Sequence, residues 1–434
     1  MHDSVWTDSV KLPEFKKLEG NKKTDVLIIG GGLCGILCAY FLKNAGVDYI
    51  LVEGNRIASG NTKNTTAKIT SQHGLIYSNL INNSGFEKAQ MYLRANQMAL
   101  EEYESLCKKF DCDFESKNNF VYSLKDRSLI EKEVFAVNQL GFPAEFFENT
   151  ELPFNVNGAV CFPKQAQFNP LKFISAICKG LNIFEKTFVR EITPSAVITE
   201  HGKIFTKKII ITTHFPFINK HGGYFLKLYQ HRSYVSAYKN CPDIKGMYVD
   251  ESEKGMSFRM YNDLLLIGGG GHRTGKKGGC WEEINNFTTK YYPGSKLSFQ
   301  WAAQDCMSLD GIPYIGQYGK NTPDLYVATG FNKWGITSSM LSAMILTDMI
   351  WGRKNDFFEL FSPQRNIIKP QLLINAFESA INLLTPSAKR CPHLGCALKW
   401  NKAEHTWDCP CHGSRFEKNG KLLDNPSTGD AKFR

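Results

Sequence analysis

The pattern of apolar and polar positions changes character along the chain. Near the start, Thr24-Asp25-Val-Leu-Ile-Ile29 ends in an unbroken apolar run, as a strand buried on both faces requires. A glycine-rich turn follows, then the helical stretch Ile36–Lys43, then a second apolar run, Tyr49–Val52, closed by Glu53. That order predicts a parallel sheet covered by helices. Gln90–Phe110 has helical periodicity, residues 112–163 read as strands, and 169–179 reads as a helix entered through Asn169-Pro170. From Tyr224 to Phe299 the period shortens to two, as in Arg232–Tyr238 and Met256–Tyr261, the alternation of half-buried antiparallel strands. Ser338–Trp351 is an apolar-faced helix. Beyond it Pro363, Pro370 and Pro386 punctuate a connection around the helix-like Gln371–Leu384. No internal repeat or low-complexity stretch is visible.

The glycines after the first strand, Gly30-Gly31-Gly32-Leu33-Cys34-Gly35, carry the first chemical signal. A lone G-x-G-x-x-G is weak evidence. Here it joins a strand to a helix and has an acid at the end of the next strand. In that setting Gly30 allows the tight turn, Gly32 lets backbone approach a pyrophosphate, and Gly35 lets helix pack on strand. The phosphates would lie on the helix N-terminus, and Glu53 would accept hydrogen bonds from ribose hydroxyls. The motif predicts dinucleotide binding.

The polar, small-residue stretch that follows runs from Ile57 to Gly74 and includes Thr65-Thr66-Ala67-Lys68. It resembles the flavin loop of D-amino-acid-oxidase-like flavoproteins, the glycine and sarcosine oxidase superfamily. Other pieces are similar: Ile183–Val189 to the strand whose valine backbone contacts adenine, and Lys208–Thr213 to a strand of the flavin domain. In that strand Thr213 and His214 replace the usual small residues. Asp310-Gly311 and the run Gly330 to Thr337, with Gly335 and Ile336, resemble the segment that closes over FAD. The resemblance implies FAD as cofactor, with Thr66, Ala67, Val189, Gly311, Gly330, Gly335 and Ile336 beside it. It also implies a second helix N-terminus against the flavin, which favours the anionic reduced form. No second G-x-G-x-x-G lies mid-chain, so a pyridine-nucleotide domain is not expected.

The C-terminal region holds Cys391-Pro-His393-Leu-Gly-Cys396 and Cys409-Pro-Cys411-His412-Gly-Ser414. Two cysteines and two histidines also suit zinc, but finger spacing separates the cysteine pair from the histidine pair, whereas each box here supplies one of each. The boxes resemble the Rieske pattern C-x-H…C-x-x-H. The resemblance implies a [2Fe–2S] cluster with Cys391 and Cys409 on one iron and His393 and His412 on the other. Neutral imidazoles in place of thiolates raise the potential to between roughly −150 and +300 mV. In the cytochrome bc-type branch the cysteines at positions 396 and 411 form a disulfide, and Ser414 matches a serine that hydrogen-bonds a cluster sulfur. Phe416 stands where that branch usually has tyrosine, so a mid-range potential is expected for it. Asn425-Pro426-Ser427 resembles the loop that covers the cluster. A flavoprotein of this family followed by a Rieske domain is a bacterial arrangement that Ser4-Val-Trp6 and the Thr-Thr-Ala-Lys loop also resemble.

The expected fold is α/β (α+β): a Rossmann-like FAD-binding domain, an antiparallel-sheet substrate domain and a small all-β Rieske domain. FAD binding is assigned to 1–110, 169–222 and 301–354, the substrate domain to 111–168 and 223–300, a helical linker to 355–388 and the Rieske domain to 389–434.

Composition narrows the class further. With 434 residues, 42% hydrophobic and 22% charged, the chain can bury large cores. The polar start and the interrupted apolar windows point to a cytoplasmic protein without signal peptide or membrane span. The 13 cysteines fit this, since the nine outside the boxes are scattered in mostly apolar contexts, as buried free thiols are. The net charge of +10 raises the question of nucleic acid, but the lysines lie in scattered pairs such as Lys16-Lys17 and Lys276-Lys277. A solvated basic surface, with docking of an acidic redox partner as the next reading, is expected instead of nucleic-acid binding. The Rieske segment alone carries about +4, with Arg415 beside the second box.

Catalytic groups are less sharply marked. Leu264–Ile267 leads into Gly268–Gly271, His272 and Arg273. In sarcosine-oxidase-like proteins a similar strand end places a histidine over the flavin, after a lysine that activates oxygen; apolar Leu266 stands in the lysine's place. His272 is therefore one catalytic candidate. Arg259 is another, a cation for a substrate carboxylate, with Arg232 and Tyr234 as alternatives; each is equally an ordinary sheet residue. His73 and Lys333 flank flavin-loop glycines, and Trp334 reads as packing. The resemblance implies an FAD-dependent dehydrogenase or reductase passing electrons between flavin and cluster. A small amine or amino acid is the expected substrate, and a one-electron protein or small carrier the expected partner. Its rivals are an oxygen-using oxidase with an accessory cluster and an RNA-modifying flavoprotein.

Overall fold

The computed structural model describes residues 3–433. The apolar runs of the N-terminal region become neighbouring strands, Lys22–Ile29 and Tyr49–Val52, and Leu27, Ile28 and Leu51 are wholly enclosed. Burying each such side chain stabilises the fold by roughly 1.5–3 kcal/mol. The sheet extends in parallel through Gly202–Ile211 and Leu325–Thr329 on one side and Ile183–Phe184 on the other, with Tyr314–Gln317 antiparallel at its edge. The helices Leu33–Asn44 and Gly335–Trp351 pack on one another over this sheet.

Among the described residues the second sheet has nine strands, in the order Lys296–Met307, Tyr229–Lys239, Leu264–Arg273, Ser257–Tyr261, Met247–Asp250, Glu115–Ser123, Gly158–Gln167, Lys68–Ile69, with Glu145–Phe147 beside Gly158–Gln167. It is antiparallel except where Met247–Asp250 runs parallel to Glu115–Ser123. Among the described residues three helices fall in stretches that the sequence pattern assigns to strands: the single turn Tyr224–Lys227 and two longer ones. Arg127–Gln139 is started by Asp126, whose carboxylate accepts from the Ser128 N–H at 2.8 Å. Cys280–Tyr291 carries Glu282 and Glu283 in its first turn, where acids favour the helix dipole.

The C-terminal sheet has four short antiparallel strands, Lys399–Asn401, Thr406–Asp408, Arg415–Phe416 and Leu422–Asp424, around the enclosed Phe416. The helix Pro370–Leu384 precedes it. No helix among the described residues is long and apolar enough to cross a membrane.

Candidate active site and iron–sulfur centre

The two cysteine–histidine boxes fold into loops of the same shape. In the first, the Gly395 N–H donates to the Cys391 carbonyl and the Cys391 N–H to that of Cys396; in the second, Gly413 donates to Cys409 and Cys409 to Ser414, all at 2.9 Å. Gly395 and Gly413 take positive φ at the turn. The loops are tied by a Cys396–Cys411 disulfide. Cys391 and Cys409 face one another. Their mutual hydrogen bond lets the first proton leave more readily, with Cys391 pushed down to about 7, and holds the second, so Cys409 is pushed up. The His393 and His412 rings meet edge to face, 4.9 Å apart.

Each imidazole is fixed by its outer nitrogen. His412 Nε2 donates to the Phe225 carbonyl at 3.0 Å, and His393 Nε2 to Asn219 Oδ1 at 2.9 Å. The inner Nδ1 atoms of both rings are buried and have no hydrogen-bond partner. Burial holds both rings neutral, pushing His412 down to about 3 and His393 to about 4. A neutral imidazole that donates through Nε2 leaves a lone pair on Nδ1, the form that binds a metal. Two thiols and two such lone pairs fit a [2Fe–2S] cluster with mixed ligation.

The partners of these imidazoles belong to the flavoprotein part of the chain, so the small domain is docked with its boxes inward. Phe215 lies against both histidine rings. Gln230 and Gln304 donate to the His412 and Gly413 carbonyls at 2.9 and 2.8 Å, and Asn425 donates to the Thr213 and Phe215 carbonyls. The approach is close enough that a Cβ on Gly275 would meet Pro410 Cα at 2.8 Å. Glu404 completes the interface. It pairs with Arg232 across the junction and with Arg415 within the small domain, and it accepts from the Tyr234 hydroxyl at 3.0 Å. Burial alone would raise its carboxyl, but the two guanidinium groups outweigh that and hold it at about 2.

Arg232, Tyr234 and His272, considered from sequence as groups facing a substrate, thus stand together at the domain junction. Tyr234 Oη lies 3.0 Å from His272 Nε2, and His272 Nδ1 lies 2.9 Å from the Arg273 carbonyl. Arg259 is wholly buried elsewhere: its guanidinium donates to the Thr66 and Ala67 carbonyls, at 2.7 and 2.9 Å, and lies over the Trp6 ring. Trp6 in turn donates to the Thr65 carbonyl. Both side chains thus hold the backbone of residues 65–67. Arg415, noted from sequence beside the second box, is enclosed by Asp408, Asp424 and Glu404.

A cleft of about 1350 Å³ runs between the two sheets and the small domain. Gly30, Gly32, Glu53 and Thr66 line it, as do Val189, Gly335 and Ile336. Gly35 lies beneath it, where a Cβ would meet the Gly30 carbonyl oxygen at 1.9 Å, so the helix can sit this close to the strand only with glycine. The Gly311 and Gly330 carbonyls accept from Asn332, which braces the closing segment. Glu53 accepts from the Gly31 and Asn55 N–H groups, at 2.7 and 2.8 Å, and burial raises its carboxyl. The helices Leu33–Asn44 and Gly335–Trp351 start at this cleft with no acid in their first turns, so their N-termini remain available to anions. The cradle fits FAD. His73 stacks on Trp334 at 4.9 Å and bonds to Tyr92 and Thr70; burial pushes it down to about 3, so it acts as a neutral pin. Lys333 lines the cleft and reaches the Glu253 carbonyl.

Lys68 was given no role by the sequence pattern. It lines the cleft from the strand Lys68–Ile69 and is 9% exposed, and no carboxylate offsets its burial among the described residues. Burial first, and then the Arg259 charge, push it down to about 7. The signal that could have found it is a lysine set inside the small-residue flavin loop.

Comparison with known proteins agrees with this geometry. Residues 25–349 match the family of FAD-dependent oxidoreductases and residues 382–433 the Rieske [2Fe-2S] domain. The chain belongs to that oxidoreductase family, binds FAD, and carries a C-terminal Rieske [2Fe–2S] domain. It is 31% identical to the protein YhfW of Bacillus subtilis (strain 168), described as a Rieske 2Fe-2S iron-sulfur protein, over 98% of this chain and 96% of that one. The L-proline dehydrogenase of P. horikoshii has the same fold, with a TM-score of 0.66 and 18% identity over 80% of this chain and 98% of that one. Glycine oxidase from Geobacillus kaustophilus matches with a TM-score of 0.66 and 17% identity over 80% and 100%.

Proposed function

We propose that this enzyme is a dehydrogenase of a small amine or amino acid, and that the electrons it takes leave one at a time through the Rieske centre. The observation that carries this reading is the docking of the small domain: both imidazole edges are held by the flavoprotein domain, at Asn219 and Phe225. When bound, FAD accepts a hydride and can release electrons singly, and the cluster carries one at a time. Cys391, Cys409, His393 and His412 would hold the cluster, with Cys396–Cys411 tying its loops. Gly30, Gly32, Gly35 and Glu53 would hold the nucleotide end of FAD, and the segments around Thr66 and Gly335 its flavin end.

The proposal is tested by screening amines and amino acids anaerobically against protein containing FAD and about two irons per chain. A substrate should bleach the flavin and then reduce the cluster of the same molecule. A substrate that bleaches flavin but leaves the cluster oxidised, while releasing stoichiometric peroxide in air, would move the assignment to an oxidase. Lys68 is what favours that second reading, since a lysine in the flavin cleft could assist oxygen.

For the dehydrogenase, Lys68 supplies the cation for a substrate carboxylate. A charge-assisted hydrogen bond is worth about 1.5–3 kcal/mol, so Lys68→Met should raise KM at least about tenfold for a carboxylate substrate. The same change should be nearly silent for an uncharged amine. A lysine held at about 7 is an ammonium below that pH and neutral above it. Wild-type KM for the carboxylate substrate should therefore climb as pH passes upward through neutrality, and the Lys68→Met profile should be flat there.

A further inference from the structure

The helix Pro370–Leu384 is mounted with its polar face inward. Asn375 and Asn382 are its buried residues. Asn375 accepts from Arg273 at 3.1 Å and donates to the Leu226 carbonyl at 3.2 Å, and the Asn382 carbonyl accepts from the Ala397 N–H at 2.9 Å. Glu378, the sole acid between residues 360 and 395, is paired with Lys276 at 2.7 Å. The outward face is apolar: Ile368 is 81% exposed, Leu373 74%, Phe377 65% and Leu384 82%, with Ile374 and Ile381 between them. Every exposed residue from 370 to 384 is Pro, Leu, Ile, Ala or Phe. The patch continues to the cluster loop. Arg390 donates to the Leu383 and Gly395 carbonyls, the Leu383 side chain reaches Gly395, and Pro392 and Leu394, on either side of His393, are exposed.

An apolar face this size on a soluble chain marks an interaction surface. We propose that it docks the protein onto an anionic lipid surface, the helix lying in the plane of the interface. A protein-binding face carries polar anchors at about one hydrogen bond per 100–200 Å². This face presents none, and its charged flanks are basic, Lys369 at the start and Arg390 beyond the end. An apolar stripe with basic margins and no exposed acid complements a headgroup layer of negative charge over acyl chains. The docking requires no spanning segment, and it sets Leu394 and the His393 loop at the lipid boundary. It stands independently of the substrate and the electron route proposed above.

The test uses the full-length holoprotein and sedimentation with vesicles of phosphatidylglycerol and phosphatidylcholine in equal parts, against phosphatidylcholine alone. Binding is expected to the anionic vesicles, to weaken with salt, and to fall at least about tenfold on neutral ones. The double variant Leu373→Glu with Phe377→Glu should lose binding by a similar factor while keeping its flavin and cluster absorption and its thermal midpoint. Unchanged vesicle binding by that variant would overturn the proposal. So would wild-type protein that ignores anionic vesicles, including protein that self-associates through this face, shown by a dimer that the same variant dissolves.

Discussion

Alanine in place of His412 is expected to abolish turnover with a one-electron acceptor that draws on the cluster, while substrate still bleaches the flavin without oxygen. The ring is held by its outer edge, where Nε2 donates to the Phe225 carbonyl, and its Nδ1 is buried with no hydrogen-bond partner. Removing it takes away one of the four proposed iron ligands. Loss of a mere outer partner of a metal ligand costs roughly 10–100-fold, so loss of the ligand should lower one-electron turnover by more than about a hundredfold. The proposed flavin cradle comprises Gly30 to Gly35, Glu53 and the loop around Thr66, and none of the contacts that hold the His412 ring comes from it. FAD content should therefore stay near one per chain. Iron content, the spectrum of a mixed-ligand cluster and the rate with the acceptor are the measurements. One-electron turnover that continues at the wild-type rate in protein free of iron but full of FAD would remove the cluster from the route.

What was legible in the sequence is what short segments decide alone. An apolar run, three spaced glycines and an acid place a strand, a turn, a helix and the next strand, because each choice is made within a few residues. The cysteine–histidine boxes are equally local: each loop closes on its own backbone hydrogen bonds, so their pattern names the cofactor before any fold is known. The roles of Arg232 and Tyr234 were not legible, because their partner Glu404 lies 172 and 170 residues further on. A cation on a strand looks the same whether it faces a substrate or a docked domain. The surroundings of Arg259 were hidden in the same way, since its carbonyl acceptors Thr66 and Ala67 lie 193 and 192 residues earlier in the chain. The helix Arg127–Gln139 was hidden by apolar spacing that strands also show, although Asp126 and Ser128 spelled its cap. For Pro370–Leu384 the period was visible and the orientation was not. Periodicity shows that a helix has two faces, and only tertiary contacts with Asn375 and Asn382 show that the apolar one points out.

The second large effect is expected at Glu404, the carboxylate that holds the small domain on the large one. Glutamine there keeps the size but leaves Arg232, whose side chain is 3% exposed, facing a neutral group at the junction. Breaking a buried ion pair from one side costs about 3–5 kcal/mol, because the remaining charge has lost its counter-charge. The pKa displacement gives an independent figure. The carboxyl sits at about 2 against an ordinary 4.5, and at about 1.4 kcal/mol per unit this is roughly 3 kcal/mol, allowing that Arg415 shares it. Because the folded-state value is the depressed one, the stabilisation is present in full above about pH 4.5. It is lost as pH falls towards 2, where the undocked form binds the extra proton. Glu404→Gln should therefore unfold or undock earlier at neutral pH, and the gap to wild type should close on acidification. Faster proteolysis in the connection before Arg390 and slower cluster reduction by substrate should accompany it, with flavin bleaching unchanged. Replacing Arg232 and Glu404 together by leucine should recover most of the stability, since Arg415 keeps Asp408 and Asp424 and no charge is left unpaired. Loss of stability in the double variant equal to the sum of the two single losses would show that the pair does not act as a latch.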